Sequence, residues 1–404
     1  MFTKVAGVDK PIIDLKVRMG SVDKNIDHVF QKTASGDKTI WRRWKGTGVS
    51  FQLGPAITSS RVPNYSGAQY VASLNKFVLS PFYHTRVGLY TPPTGRVSSS
   101  NIGSFELGAT HSRTAEYNWA SCEQCLMPDG RIIFPAYNCG VFGLYTPAAS
   151  GAGTYANGPA NPSSYTYPCL TSGGIYVEAV GIRPARVIFT PARTANVRWY
   201  NVSVGILDDG VAHGKTVSTA DPPSSFVFSG PPLRLAGTNV LLFAPASSNT
   251  IGLFNFETNT YFNGPVHDGT GTNSFSGAVQ LPDGKVILVP RASRYIGIYT
   301  PPSGTISSTN IGTYTRGPDT GLSTSEASFS RGIYLPEFHK VIFGPLQANF
   351  PGIYDVATNT YSAGPNVQAS GSYHYSGIYR LPHSVDLLLV PRANANIGLL
   401  RFND

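Results

Sequence analysis

Residues 285–301 read KVILVPRASRYIGIYTP: a short apolar run, a proline, six mostly polar residues, then Gly-Ile-Tyr. The chain writes this phrase seven times. The other copies are KFVLSPFYHTRVGLYTP from Lys76, RIIFPAYNCGVFGLYTP from Arg131, RVIFTPARTANVRWYN from Arg186, VLLFAPASSNTIGLFN from Val240, KVIFGPLQANFPGIYD from Lys340 and DLLLVPRANANIGLLR from Asp386. Their prolines stand at positions 81, 135, 191, 245, 290, 345 and 391, with spacings of 54, 56, 54, 45, 55 and 46 residues.

A period near fifty points to blades of a β-propeller, because the coils of a β-helix repeat over far shorter lengths. The run before each proline is apolar at consecutive positions, which describes a strand covered on both faces, as between neighbouring blades. The proline has no N–H and so ends the pairing or marks a bulge. Upstream lie partner strands such as SGAVQLPDGK from Ser276 and SGAQYVASLNK from Ser66, with Pro-Asp-Gly and similar turns making a hairpin. Gly-Ile-Tyr or Gly-Leu-Tyr begins a third strand. A fourth reads GTYTRGP at 312–318, NTYSAGP at 359–365 and NTYFNGP at 259–265, and in the third repeat a degenerate version is expected around GKTVSTADPP.

Seven units of four strands make an all-β, seven-bladed propeller over residues 48–404. The seventh copy stops after its third strand, at IGLLRFND, while VSFQLGP at 49–55 precedes the first hairpin. The N-terminal strand is therefore expected to complete the last blade and close the ring. The segment GIYDVATNTYSAGP (352–365) resembles the second half of Kelch-type repeats, although nearly every copy lacks the Gly-Gly pair typical of that family. The resemblance implies the fold and carries over no functional residue.

Composition agrees with a turn-rich all-β chain. Of the 404 residues only 13% are charged, against about 25% in an average soluble domain. Residues 1–47 hold ten Lys or Arg against five Asp, a net +5 of the chain's +9. Signs alternate along this arm, which suits a solvated segment docked on another protein better than a nucleic-acid binder. There is no signal-peptide pattern and no apolar stretch long enough for a membrane span, so synthesis in a cytosol without membrane insertion is expected. Cys122 and Cys125 form a C-x-x-C on a strand, where residues three apart face opposite ways, so buried thiols are expected rather than a metal or redox site.

The connections between second and third strands and those leading into the next blade should emerge on one face. The first set carries Arg86, Arg193, Arg291, Arg294 and Arg392. The second set is rich in aromatic, amide and hydroxyl residues that suit sugars, since a ring stacks on a pyranose and polar groups bond its hydroxyls. An aromatic-Ser-Gly opens several blades, at Tyr65, Phe228, Phe275 and Tyr375, and its recurrence reads as packing between blades. Residues outside the repeat pattern are the candidate ligand contacts: His111, Tyr117, Trp119, Tyr165, Tyr167, His267, Tyr373 and His374, with Arg291, Arg294 and Arg392. Acidic residues are scarce and no catalytic cluster or phosphate, zinc or nucleotide motif recurs, so neither catalysis nor a cofactor or metal is expected.

Residues 22–46 of the arm hold a short apolar strand, a Ser-Gly-Asp turn, and Trp41 and Trp44 flanking Arg42 and Arg43. The pattern resembles a short β-hairpin module of tailed-phage virion proteins, found near their attachment regions. That resemblance implies an attachment interface at Trp41, Arg42, Arg43 and Trp44, residue types enriched at interface hot spots. Packing of the two tryptophans on the propeller rim is the other reading. The expectation is a non-enzymatic virion protein in a multi-copy assembly, associated with tail, baseplate or fibre. Its partners would be other virion proteins and a host-surface glycan or receptor. The alternative is a free carbohydrate-binding or carbohydrate-cleaving propeller.

Overall fold

The structure is a computed structural model. It describes residues 48–402 except 58–63, 112–122, 137–139, 161–170, 218–225, 270–272, 324–326 and 368–372, together with the strand backbone of Lys16–Met19, Val22–Asn25, His28–Thr33 and Gly36–Arg42. The four arm strands form two antiparallel hairpins, and in the second Val29 pairs with Trp41 and His28 with Arg42. Arg43 and Trp44 lie outside the described residues.

Seven four-stranded antiparallel sheets follow, each in sequential strand order apart from the last. The blades open at Tyr65–Val71, Cys125–Leu126, Thr171–Val177, Phe228–Arg234, Phe275–Gln280, Phe329–Leu335 and Tyr375–Arg380. In blade 7 the outer strand is Val49–Ala56, paired with Asn396–Phe402 in the register Phe402 to Val49, Leu400 to Phe51 and Gly398 to Leu53. The ring is thus zipped shut by the two ends of the propeller, as its sequence implied. Among the described residues no helix is long and apolar enough to cross a membrane.

The recurring words of the sequence become specific contacts. Aromatic-Ser-Gly is a β-bulge. Tyr65 faces Pro81 and Ala68 faces Leu79, so Ser66 and Gly67 together oppose one residue, and the same shift follows Phe275, Phe329 and Tyr375. The aromatic ring is fully buried in a core that its blade shares with the preceding one, Phe275 with Leu242 and Leu253 of blade 4, Phe329 with Val279 and Val289 of blade 5, and Tyr375 with Leu335 and Ile342 of blade 6, as the recurrence implied. There it rests on the glycine of Gly-Ile-Tyr. A Cβ at Gly88 would stand 2.8 Å from the Tyr65 ring, at Gly252 2.9 Å from Phe228 and at Gly398 2.8 Å from Tyr375. Blade 3 breaks both halves of the rule together: Thr171 replaces the aromatic and Arg198 replaces the glycine. Gly-Pro near the end of the fourth strand is a second bulge, with Gly54 and Pro55 opposing Ile397, and Gly317 and Pro318 opposing Ile296.

That second bulge corrects the expectation for the third repeat, whose fourth strand is Ile206–Ala212 and not the segment around GKTVSTADPP. Gly210 fills the bulge but is followed by Val211 instead of proline. The turn before it is also short, closed by a Gly205 N–H bond to the Asn201 carbonyl (2.9 Å).

Blades are joined by a main-chain relay. The residue after the second-strand proline accepts an N–H bond from the next blade. Ala192 accepts from Val227 (2.8 Å), Ala246 from Ser274 (2.8 Å), Arg291 from Ser328 (2.7 Å), Leu346 from His374 (2.6 Å) and Arg392 from Asn64 (2.6 Å). The last of these spans the closure between blades 7 and 1. Bulge serines add to it: Ser172 donates to the Gly230 carbonyl, Ser276 to that of Phe329 and Ser376 to that of Tyr65. A charged clamp completes the closure. The fully buried Asp386 carboxylate receives Arg96 through Nε (3.0 Å) and Nη2 (3.1 Å), and the N–H groups of Val97 (2.9 Å) and Phe402 (3.2 Å).

Two stability measurements test these contacts by urea unfolding. Gly252→Ala should cost about 1–3 kcal/mol by overpacking against Phe228, and markedly less in a Phe228→Ala background because the two changes share one contact. Asp386→Ala leaves Arg96 and two amides without their acceptor and should cost about 3 kcal/mol; a loss under about 0.5 kcal/mol would show that the clamp adds nothing to closure.

Candidate functional site

The first strands line the axis, and their starts lie on the same face as the ends of the second strands. A cavity opens there and is partly open to solvent. Its wall is the ring of bulge serines, Ser66, Ser229, Ser276, Ser330 and Ser376. Its rim carries Arg291, Leu346 and Arg392 from three successive blades, and Glu123 lies on the far wall.

Glu123 meets Arg331 across the ring. By strand register both occupy the bulge position that is glycine in the other five blades: Gly67, Gly173, Gly230, Gly277 and Gly377. Several of these glycines are required by crowding, since a Cβ at Gly230 would lie 2.3 Å from the Ser276 carbonyl oxygen of the next blade. The two positions that depart from glycine carry opposite charges and bond each other from blades 2 and 6, Arg331 Nη1 donating to Glu123 Oε2. The Arg331 guanidinium also lies 4.5 Å from the centre of the Tyr379 ring, whose hydroxyl accepts the Ala68 N–H (2.9 Å). Burial works against the Arg331 charge, but the carboxylate outweighs it and holds the pKa above the ordinary arginine value. Burial likewise pushes the Tyr379 phenol up, with Glu123 adding to the shift.

Arg392 is fixed in place: its guanidinium carbon is 4.6 Å from the Phe82 ring centre and 4.5 Å from that of Tyr373. A planar cation stacked on rings keeps its donor fork oriented. Of the candidates drawn from the sequence, the structure brings Arg291, Arg392 and Tyr373 to the mouth. Arg294 lies elsewhere, exposed and paired with Asp319 (2.8 Å). Tyr117, Trp119, Tyr165 and Tyr167 lie outside the described residues.

The histidines serve the blades. His111 and His267 are buried and occupy the same place as His213, just past the fourth strand, so they do repeat once strands are superposed. Their Nε2 atoms bond the carbonyls of His84 (2.8 Å), Ser248 (2.7 Å) and, for His213, Thr194 (2.5 Å), pinning the loop between second and third strands. His374 is buried at the blade-opening position, in the main-chain relay. Cys125 is buried, and its thiol is pushed up to about 12 by desolvation; Cys122 lies outside the described residues. Among the described residues no group of three or more His, Cys, Asp or Glu gathers as a metal site.

Sequence reasoning missed Glu123, Arg331 and the serine ring. The signal was present: within the aligned bulges, two positions alone exchange glycine for charge, and the charges are opposite.

Comparison with known proteins shows the class. No family model matches the sequence, and no curated protein matches it. Solved structures do. Virginiamycin B lyase from Staphylococcus aureus superposes with a TM-score of 0.61 at 13% identity, over 88% of this chain and 100% of that one. A streptogramin B lyase structure gives 0.61 at 14%, over 88% and 98%. The Swd1 β-propeller domain of Myceliophteria thermophila gives 0.55 at 8%, over 88% and 100%. The chain is a seven-bladed β-propeller; likeness at such identities, spread over propellers of different kinds, shows the fold alone.

The histidine pins have a pH consequence. The Ser248 carbonyl can only accept and the Gly269 N–H, 3.0 Å from His267 Nδ1, can only donate, so the ring is neutral with its proton on Nε2. His213 is held the same way by Thr194 and the Lys215 N–H. Burial lowers both pKa values below the ordinary histidine value, partly offset by the carbonyl bonds. The unfolded chain then binds protons near pH about 6.5 that the folded chain refuses, so stability is present above that pH and lost as pH falls below it. The urea midpoint should drop from about pH 7.5 to about 5.5, and a His213→Gln/His267→Gln variant should show a shallower drop; equal slopes would contradict the assignment.

Proposed function

We propose that the chain is a non-enzymatic binding module that presents its channel mouth to a ligand on a host surface. Residues 1–47 would fix it to other proteins of a multi-copy assembly, a tail, baseplate or fibre-associated appendage of a tailed-phage virion. The observation that carries the binding reading is the shape and chemistry of the mouth: a concave site lined by Glu123 and five bulge serines, with two arginines on its rim. Binding sites of this kind are concave and use a few convergent polar groups. Glu123, the carboxylate of the lining, is engaged by Arg331, which favours binding over acid–base chemistry there. The setting is supported by the basic arm with Trp41, Arg42, Arg43 and Trp44, residue types that concentrate binding energy at interfaces.

Purified full-length protein should compete with particle adsorption to host cells. A chain lacking residues 1–47 should keep the folded disk and its competition but fail to enter particles. Undiminished incorporation would remove the anchoring role, and absence of competition would remove the surface-binding role. Shortened products after incubation with host polysaccharide would instead establish a carbohydrate-cleaving propeller, the class of reading that a fold shared with lyases keeps in play.

A further inference from the structure

We propose that His213 and His267 are acid-released latches: while neutral, each ties the segment leading into the next blade to a loop of its own blade, and a proton arriving at Nδ1 cuts that tie.

The latch is a two-sided bond at one place in the blade. Just past the fourth strand the backbone N–H reaches the loop between second and third strands, His213 to the Ala195 carbonyl (3.0 Å) and His267 to that of Asn249 (3.2 Å). The ring then donates from Nε2 to the preceding carbonyl, Thr194 or Ser248, and accepts at Nδ1 the N–H two residues further on, Lys215 (3.1 Å) or Gly269 (3.0 Å). A proton on Nδ1 sets a donor against a donor, so the closed latch and the charged ring exclude each other. Blade 5 does the same work without titrating. Thr320 donates its hydroxyl to the Arg294 carbonyl (2.8 Å) and accepts the Leu322 N–H (3.4 Å). Acid therefore acts on the latches of blades 3 and 4 and passes over that of blade 5.

The surroundings set the order of release. His213 packs against Phe228 and Tyr261 of blade 4, with ring centres 5.8 and 5.9 Å away. The Lys215 ammonium opposes a charge on it, and Arg193 of the loop it pins adds a second cation, turned to the Phe226 ring (5.0 Å). His267 packs against Phe275 (5.4 Å) and Tyr314 (6.1 Å) of blade 5. The neighbouring Asp268 carboxylate favours a charge there, although Arg316 and the Tyr314 hydroxyl (2.6 Å) already engage it. His267 thus releases at a higher pH than His213. The two latched segments feed the first strands of blades 4 and 5, which bring Ser229 and Ser276 to the cavity wall.

Amide hydrogen exchange on the full-length chain, resolved to single residues and corrected for the intrinsic rate at each pH, tests this. From about pH 7.5 to about 5.5 the Lys215 and Gly269 amides should lose about threefold to tenfold in protection, the larger figure being the proton gain of an ordinary imidazole, while Leu322 loses less than about twofold. His267→Thr copies blade 5 and should leave Gly269 indifferent to pH. Thr320→His should give Leu322 the acid response while its protection at neutral pH is kept, a result that a folding defect cannot produce. A uniform drop at all three amides, a response at Gly269 that survives His267→Thr, or a Leu322 amide in Thr320→His that is protected at neutral pH and still ignores acid would overturn the proposal. The consequence for a ligand rests on the binding reading above: competition for adsorption should weaken at about pH 5.5 in the natural chain and hold in a His213→Thr/His267→Thr variant. Competition absent at every pH, with exchange as expected, would remove the binding reading and leave the latches standing.

Discussion

Closure of the ring is the constraint on which everything else depends. A blade is apolar on both faces, so each sheet is stable only while sandwiched, and a gap at one interface would expose two such faces at once. The interface between blades 7 and 1 is built from chain segments more than 300 residues apart, yet it repeats the bond used at the others, the Asn64 N–H to the Arg392 carbonyl. Val49–Ala56 pairs the edge that Asn396–Phe402 would otherwise present, and Asp386 ties Phe402, Val97 and Arg96 around one buried carboxylate. Hydrophobic burial supplies most of the stabilisation. Ile57, Tyr65, Phe77 and Leu79 from the beginning of the chain share a core with Leu388, Val390, Ile397 and Leu399 from its end.

Closure in turn crowds the axis, and the crowding explains the vocabulary of the first strands. Serine and glycine sit in a bulge that aims one hydroxyl at the next blade and leaves no Cβ where blades meet. Where space remains, side chains can enter. Glu123 and Arg331 do so as a complementary pair, and neither would be tolerable alone, because a charge in that position needs a partner to offset its desolvation. Their bond spans the ring from blade 2 to blade 6.

Legibility differed between parts for physical reasons. The blade count, the apolar second strands, the prolines that end them and the terminal strand that completes blade 7 were readable because each depends on local pattern repeated at a fixed period. The fourth strand of blade 3 was misplaced because Gly210 lacks its proline and the preceding turn is short. His111 and His267 looked unrepeated because the residues at that place in other blades, such as Thr320 and Val367, share the backbone bond to the loop but no side-chain type. Tyr65 and its counterparts were recognised as packing residues, but their seat on a third-strand glycine, 23 residues further along for Gly88, is invisible without the pairing register.

The sequence by itself determined an all-β ring of seven sheets, closed by its own ends, because hydrophobic period and turn chemistry are properties of neighbouring residues. The tertiary structure alone decided which polar groups meet. Arg331 and Glu123 are 208 positions apart, and Arg291 and Arg392 stand on different blades. Their convergence at one axis is a product of rotation from blade to blade, and no spacing along the chain encodes the distance between them.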